Sequence, residues 1–230
     1  VYGVNYAAIG HCHVTLWTKV PIDQTYWPGD ALRWICEHGT RLRTPEYTTF
    51  FNGLGAGNSI KHFHYQTLRE VFPICQARPE RVFTPSGIAR LDWPMPAYSV
   101  SAAPDDISVL SRLDGLICAW LDLGADHSLN LVHTTDTQDR AHIVFVPRVK
   151  TKLRPEGISN GFAGCEVGGR INVEEWDEWD SARRQPLETV EGWHRGSDLF
   201  LHVSGGRAPV RCAGLPVSYS RCAAYAIAAG

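Results

Sequence analysis

Residues Phe50-Phe51-Asn52-Gly53-Leu54-Gly55-Ala56-Gly57-Asn58-Ser59-Ile60-Lys61-His62-Phe63-His64-Tyr65-Gln66 form a glycine-rich turn that runs directly into an alternating segment. Successive side chains of a β-strand point to opposite faces. A strand over His62 to Gln66 therefore carries His62, His64 and Gln66 on one face and Phe63 and Tyr65 on the other. The aromatic face needs a core, and the polar face is left for chemistry.

Gly53, Gly55 and Gly57 permit positive φ and a close approach of backbone to a ligand, and successive N–H groups in such a turn form a concavity for an anion. Ser59 and Lys61 add a hydroxyl and a positive charge to that cradle. A neutral imidazole beside a bound phosphate can attack phosphorus and form a covalent nucleotidyl-histidine. Two other readings of the same residues stay open. The histidines of an exposed strand can be surface residues only, and His-x-His on a strand can offer two imidazoles to zinc, with His11 and His13 as further ligands.

The order Asn, glycine-rich loop with Ser, then His-x-His-x-Gln resembles the active-site segment of the galactose-1-phosphate uridylyltransferase branch of the histidine-triad superfamily. The start Phe51-Asn52-Gly53-Leu54-Gly55-Ala56 and the end His62-Phe63-His64-Tyr65-Gln66 are most similar to the GDP-hexose phosphorylases, acting on GDP-L-galactose or GDP-D-glucose, and to the diadenosine tetraphosphate phosphorylases. The resemblance implies that His64 is the nucleophile, that His62 and Gln66 are its catalytic companions, and that Asn52, Gly57 and Ser59 contact phosphate. Gly55, Ala56, Asn58 and Lys61 join the phosphate-binding set from the same loop. In this family Gln in place of a third His marks transferases and phosphorylases rather than simple hydrolases. An amide can hydrogen-bond phosphoryl oxygens but cannot act as a general acid or base.

The implied fold is α+β: a histidine-triad-like antiparallel sheet with helices on one face, in two degenerate halves that form a pseudo-repeat. The resemblance covers residues 10–180 in outline and is sharp only over 50–66. Some base and phosphate contacts of the family come from sequence upstream of the point where this chain starts. Val1 opens on sequence that reads as mid-domain, as expected of a fragment.

The chain has 230 residues, enough for one large domain or two small ones, with 44% hydrophobic and 20% charged residues. A formal net charge of −2 gives no general nucleic-acid-binding surface, so anion binding must be local. Seven cysteines, at 12, 36, 75, 118, 165, 212 and 222, show no Cys-x-x-Cys spacing, which suits reduced thiols in the cytoplasm. Some uridylyltransferase relatives hold a structural zinc with a close cysteine pair; none exists here, so no metal is carried over. No apolar run is long enough to span a bilayer.

The alternating residues 10–20 predict a strand, with Gly10-His11 and, in the following turn, Gln24 loosely matching the phosphorylase pattern. Asp30 is a plausible N-cap for a helix over 31–43 with Leu32, Ile35, Cys36 and Leu42 on its apolar face. Residues 47–51 predict the strand that delivers the loop, and 60–68 the strand that carries the histidines. Prolines 73, 79, 85, 94, 96 and 104 break the next stretch into a connector with one or two short strands, for which Val71–Ile74 and Arg81–Phe83 are the candidates.

Asp105-Asp106 then opens a helix to Leu121 with Ile107, Leu110, Leu113, Leu116, Ile117 and Trp120 at helical spacing, read as a core face. Residues 128–134 and 140–148 predict a hairpin that parallels the first unit. Asn130 sits as Asn52 does, while Val144 and Val146 stand where His64 and Gln66 stand. Arg148, Lys150, Lys152 and Arg154 alternate; Arg148 is assigned to phosphate binding, and a solvated basic edge is the other reading.

Glu166, between glycines, resembles a late phosphorylase motif. It is read either as a substrate-pocket or histidine-orienting carboxylate or as part of a turn. Acidic residues 174–180 suit a helix start, 187–202 a further helix, and the stretch from Gly205 a loosely ordered tail. The organisation is then a first half at 1–70, a connector at 71–104, a second half at 105–204 and a tail at 205–230.

Together these readings predict a nucleotidyltransferase or phosphorylase. It would cleave a nucleoside diphosphate sugar, GDP-hexose favoured, or a dinucleoside polyphosphate, and pass the nucleotide to phosphate or a sugar phosphate. No cofactor is required, and Mg²⁺ is compatible with the chemistry. Nucleic acid and membrane are not expected partners, and the oligomeric state is left open. The alternatives are a zinc-dependent hydrolase or metal-binding protein using His62 and His64, and a nucleotide-binding protein without turnover.

Overall fold

The computed structural model describes residues 2–4, 12–42, 45–84, 86–103, 106–150 and 163–169. In chain order its elements are β1 (Tyr2–Val4), β2 (Val14–Trp17), α1 (Asp30–Leu42), β3 (Thr48–Asn52), β4 (His64–Leu68) and a 3₁₀ turn at Pro73–Gln76. There follow β5 (Pro79–Phe83), β6 (Ile88–Leu91), β7 (Tyr98–Ala102), α2 (Ile107–Leu121), β8 (His127–Thr135), β9 (Ala141–Val149) and α3 (Gly164–Val167). Among the described residues nine strands form one sheet in the order β1-β2-β4-β3-β8-β9-β7-β6-β5. Every pairing is antiparallel. This is the open α+β arrangement that the histidine-triad resemblance implies.

Both faces of the sheet are buried at its centre, and the alternation of neighbours sorts them. Phe51, Phe63, Tyr65, Leu129, Leu131, Ile143 and Phe145 pack under α1 and α2. Phe50, Leu68, Val132, Val144 and Val146 pack on the other side, with Ile74, Met95, Cys165 and Val167. With a period of two, His64, Gln66, Asn52 and Asn130 belong to this second face. The two long helices thus cover one face, as expected, and leave His64, Gln66, Asn52 and Asn130 to the other, where the short α3 also packs.

Helix α1 buries Ala31, Leu32, Ile35 and Cys36 at helical spacing. Gly39 lets it approach the sheet, since a Cβ there would overlap the His133 ring. Asp106 caps α2 by accepting from the backbone N–H of Val109 at 3.3 Å. The buried stripe of α2 is Leu113, Ile117 and Trp120, and Ile107, 75% exposed, lies outside it.

Three expectations change. The first strand is shorter than 10–20, with only Val14–Trp17 laddered; Gly10 and His11 lie outside the described residues. The histidine strand starts at His64 rather than 60. Residues 61–63 instead bond to the segment before α1, with Gln24 N–H donating to Lys61 O at 2.6 Å and Phe63 N–H to Ile22 O at 2.8 Å.

The proline-punctuated stretch supplies three strands, β5 to β7, rather than one or two short ones, and Val71–Ile74 is not one of them. Pro79 pairs with Leu91 but is the first residue of edge strand β5, where a missing N–H is tolerated, and Pro94 and Pro96 lie in the β6–β7 connection. Lys152, Arg154, the helices expected after 174 and at 187–202, and the stretch from Gly205 lie outside the described residues.

Candidate active site

Strands β3 and β4 are laddered only from Thr48↔Leu68 to Phe50↔Gln66. Beyond that pair they part, because the joining loop is longer than a tight hairpin. The side-chain amide of Gln24 lies in the opening. Its Oε1 accepts from the His64 backbone N–H at 2.7 Å, and its Nε2 donates to Asn52 O at 2.8 Å and His64 O at 3.1 Å.

His64, 4% exposed, opens β4. Its Nδ1 lies 2.8 Å from the carbonyl oxygen of His62. A carbonyl can only accept, so Nδ1 carries the proton and Nε2 keeps its lone pair. Among the described residues Nε2 takes no hydrogen bond. Burial lowers the pKa of His64; the bond to the His62 carbonyl works against that shift, and the nearby His62 ring adds to it. The ring is therefore neutral at pH 7, the form a nucleophile needs.

His62 Nε2 lies 2.9 Å from Thr18 Oγ1, whose own proton goes to Val20 O at 2.7 Å. With that hydroxyl proton committed, His62 is the donor. Gln66 Oε1 lies 2.8 Å from His13 Nε2, and an amide oxygen likewise only accepts. His13 therefore fixes the Gln66 amide with its NH₂ end unpaired among the described residues.

The loop after Asn52 is closed by its own bonds: Ala56 N–H to Gly53 O at 2.9 Å, and Gly55 N–H to Asn58 Oδ1 at 2.8 Å. Gly55 and Gly57 have φ of 76° and 90°. Gly53 does not have positive φ; it is needed for space, since a Cβ would come within 2.9 Å of the Leu129 carbonyl. The backbone N–H groups of Gly57, Asn58 and Ser59 have no partner among the described residues. Successive N–H groups in such a turn are able to form an anion concavity. Ser59 and Lys61 are exposed beside it, and the stem of Lys150 packs on Gly55 while its Nζ donates to Ala125 O at 2.6 Å.

Behind the loop runs a buried chain of amides. Asn52 Oδ1 accepts from Asn130 Nδ2 and from Gly164 N–H, both at 2.8 Å, and Asn130 Nδ2 also donates to Ala56 O at 2.9 Å. Arg148 Nη1 donates to Asn130 Oδ1. Burial brings Arg148 down to about 10, with Glu166 opposing the shift, so the guanidinium stays charged. Arg148 is 3% and Glu166 2% exposed. They sit within the support of the loop, where Glu166 Oε2 accepts from Ala163 N–H at 3.0 Å. The Nδ2 of Asn52 has no partner among the described residues.

No family model matches the chain, and no curated protein matches it by sequence. The fold is similar to that of yeast Ap4A phosphorylase Apa2. Against that crystal structure the TM-score is 0.65 at 16% identity, covering 85% of this chain and 71% of the other. The Apa2 complex with AMP gives 0.65 at 18% identity, covering 83% and 70%. The complex with Ap4A gives 0.64 at 15% identity, covering 85% and 72%.

Of the expected site residues, the structure gathers His62, His64, Gln66, Asn52 and the loop 55–59 with Lys61 around one end of β3 and β4. Arg148 and Glu166 stand behind Asn130 and Asn52. Sequence reasoning missed His13 and Thr18 as partners of Gln66 and His62, and left Gln24 as a loose family match. The β2–β4 register, with Thr15 opposite Gln66 and Trp17 opposite His64, brings His13 and Thr18 to the site. Among the described residues no group of three His, Cys, Asp or Glu is placed to hold a metal ion.

Proposed function

We propose that the chain is a nucleotidyl-transferring phosphorylase acting on a dinucleoside polyphosphate or a nucleoside diphosphate sugar through a covalent intermediate on His64. The observation that carries this reading is the His64 ring, with Nδ1–H held by the His62 carbonyl and Nε2 without a partner among the described residues. Similarity of fold to Ap4A phosphorylases favours the dinucleoside polyphosphate. GDP-hexose is the second donor to test, on the resemblance of residues 51–66.

In the first step His64 Nε2 attacks the α-phosphorus. The Nε2–P bond forms, the bond from that phosphorus to the bridging oxygen breaks, and the remaining phosphate-bearing fragment leaves with the electron pair. The backbone amides of Gly57, Asn58 and Ser59, the Asn52 and Gln66 NH₂ groups and the Lys61 ammonium supply donors for the phosphate oxygens. In the second step an oxygen of inorganic phosphate or a sugar phosphate attacks the same phosphorus, and the Nε2–P bond breaks. No cofactor takes part in either step, and Mg²⁺ would enter with the phosphates it neutralises.

The two halves fit a degenerate repeat. Once β7, which lies in the stretch read as the 71–104 connector, is counted with the second half, β2-α1-β3-β4 and β7-α2-β8-β9 follow the same order, β3 and β8 are neighbours, and Asn52 pairs with Asn130. Val144 and Val146 lie in the core, so the second half has no imidazole to offer there and the repeat carries one site.

The test is phosphate-dependent breakdown of diadenosine tetraphosphate and GDP-glucose by the wild type and by His64→Asn. The expected result is release of a nucleoside diphosphate by the wild type alone. Equal turnover by His64→Asn would exclude His64 as nucleophile, and stoichiometric zinc lost with His62 and His64 would favour a metal site.

A further inference from the structure

We infer that Gln24 is a positioning residue for the nucleophile: its side-chain amide replaces the missing rung between β3 and β4 and so fixes His64 against the carbonyl that orients its ring. The inference rests on the proposed role of His64.

At Phe50↔Gln66 the two strands are still paired. Two residues further, Asn52 and His64 would face each other, and instead of bonding directly they share the Gln24 amide. A primary amide has a carbonyl oxygen and two N–H donors, so it can bridge two strands as a peptide group does. Here the oxygen takes the His64 N–H and the nitrogen serves the carbonyls of both Asn52 and His64. Gln24 is 1% exposed, so water does not compete for these groups.

This arrangement separates β3 from β4 by the width of one side chain while the His64 N–H and the carbonyls of Asn52 and His64 all keep a partner. The separation lets the chain leave Asn52 as an anion-binding loop while His64 stays in register. Backbone bonds of the same segment hold the other end of the oriented pair. Gln24 N–H bonds Lys61 O, and Asp23 bridges His62, whose carbonyl receives the His64 ring. One short segment, residues 22–24, therefore fixes both partners of the contact that selects the His64 tautomer.

A side chain that only filled space could be replaced by one of equal bulk, whereas a bridge cannot. Gln24→Leu keeps the size and loses all three bonds. Gln24→Glu keeps the acceptor for the His64 N–H but sets a carboxylate against two carbonyl oxygens.

The experiment measures, on the full chain, the His64 tautomer by long-range ¹H–¹⁵N NMR and steady-state turnover of diadenosine tetraphosphate. The wild type should show a single Nδ1–H tautomer. Both variants should show mixed tautomers at His64 with His133 signals unchanged, and kcat lower by about 100-fold with KM altered less than about threefold. Wild-type tautomer and kcat in either folded variant would overturn the inference. If Gln24→Leu does not fold, Gln24→Glu decides the matter. If the wild type turns over no nucleotide, the proposed function fails, while the His64 spectra still decide whether Gln24 positions the ring.

Discussion

The Nδ1 of His64 lies 2.8 Å from the backbone carbonyl of His62, so the first histidine of the pair orients the second through its main chain rather than its ring. The His62 ring is turned to Thr18 instead. The two imidazoles therefore differ in what they should tolerate.

His64→Ala should abolish nucleotidyl transfer. His62→Ala keeps the orienting carbonyl and loses only the ring, so it should retain measurable transfer, reduced by about 10- to 100-fold. Thr18→Val should act in the same direction with a smaller effect. Single-turnover rates of the three variants check the order.

Rate against pH should report the neutral His64. Its folded pKa is lowered, chiefly by burial, so the ring stays unprotonated as pH falls through the ordinary histidine value of about 6.5. The acid limb of kcat/KM attributable to His64 should accordingly lie below that value. A limb at or above it, absent from no other step, would mean that the ring is solvated as an ordinary histidine.

His13 holds the oxygen of Gln66 at 2.8 Å and so presents the NH₂ end. His13→Ala should lower kcat by about 10-fold, and combining it with Gln66→Ala should cost little more than Gln66→Ala alone, since both remove one function. A double-mutant cycle on kcat/KM measures this directly; full additivity would separate the two residues.

Gly57 has φ of 90°, and a Cβ there would collide with Ala163. Gly57→Ala should lose roughly 1–2 kcal/mol to backbone strain, with more from the collision, and should weaken nucleotide binding. Denaturant unfolding and a binding titration read the two effects separately.

Acid should destabilise the fold before it protonates the core. Burial lowers His38 to about 4 and His133 to about 3, so below about 6.5 the unfolded chain binds protons that the folded chain does not. Each histidine then removes up to about 1.4 kcal/mol per pH unit as pH falls from about 6.5 towards its folded value. Unfolding free energy measured between pH 7 and 4 should show this slope, and His133→Met should reduce it.

Much of the site was legible because it is local. Alternation separated Phe63 and Tyr65 from His64 and Gln66, and the glycine order predicted the loop. Tertiary pairing was not legible. The strand begins at His64 rather than 60 because residues 22–24 capture the backbone of 61–63, and no local pattern announces that. The polar partners His13, Thr18 and Gln24 reach the site only through the β2–β4 register and the turn before α1. Arg148 reads by spacing as a cation facing phosphate, but its strand places it beside Asn130 in the interior. Prolines hid β5 to β7, because composition does not say which N–H groups a ladder leaves unused.

The central claim is the covalent nucleotide on His64, and intact-protein mass reads it directly. The protein is incubated briefly with diadenosine tetraphosphate, GDP-glucose, ADP-glucose or UDP-glucose without phosphate and quenched at alkaline pH, where a phosphoramidate survives. A mass gain of one nucleoside monophosphate, absent in His64→Ala, is the predicted result and also identifies the base. An unchanged mass with every donor, while those donors are consumed once phosphate is added, would contradict the account.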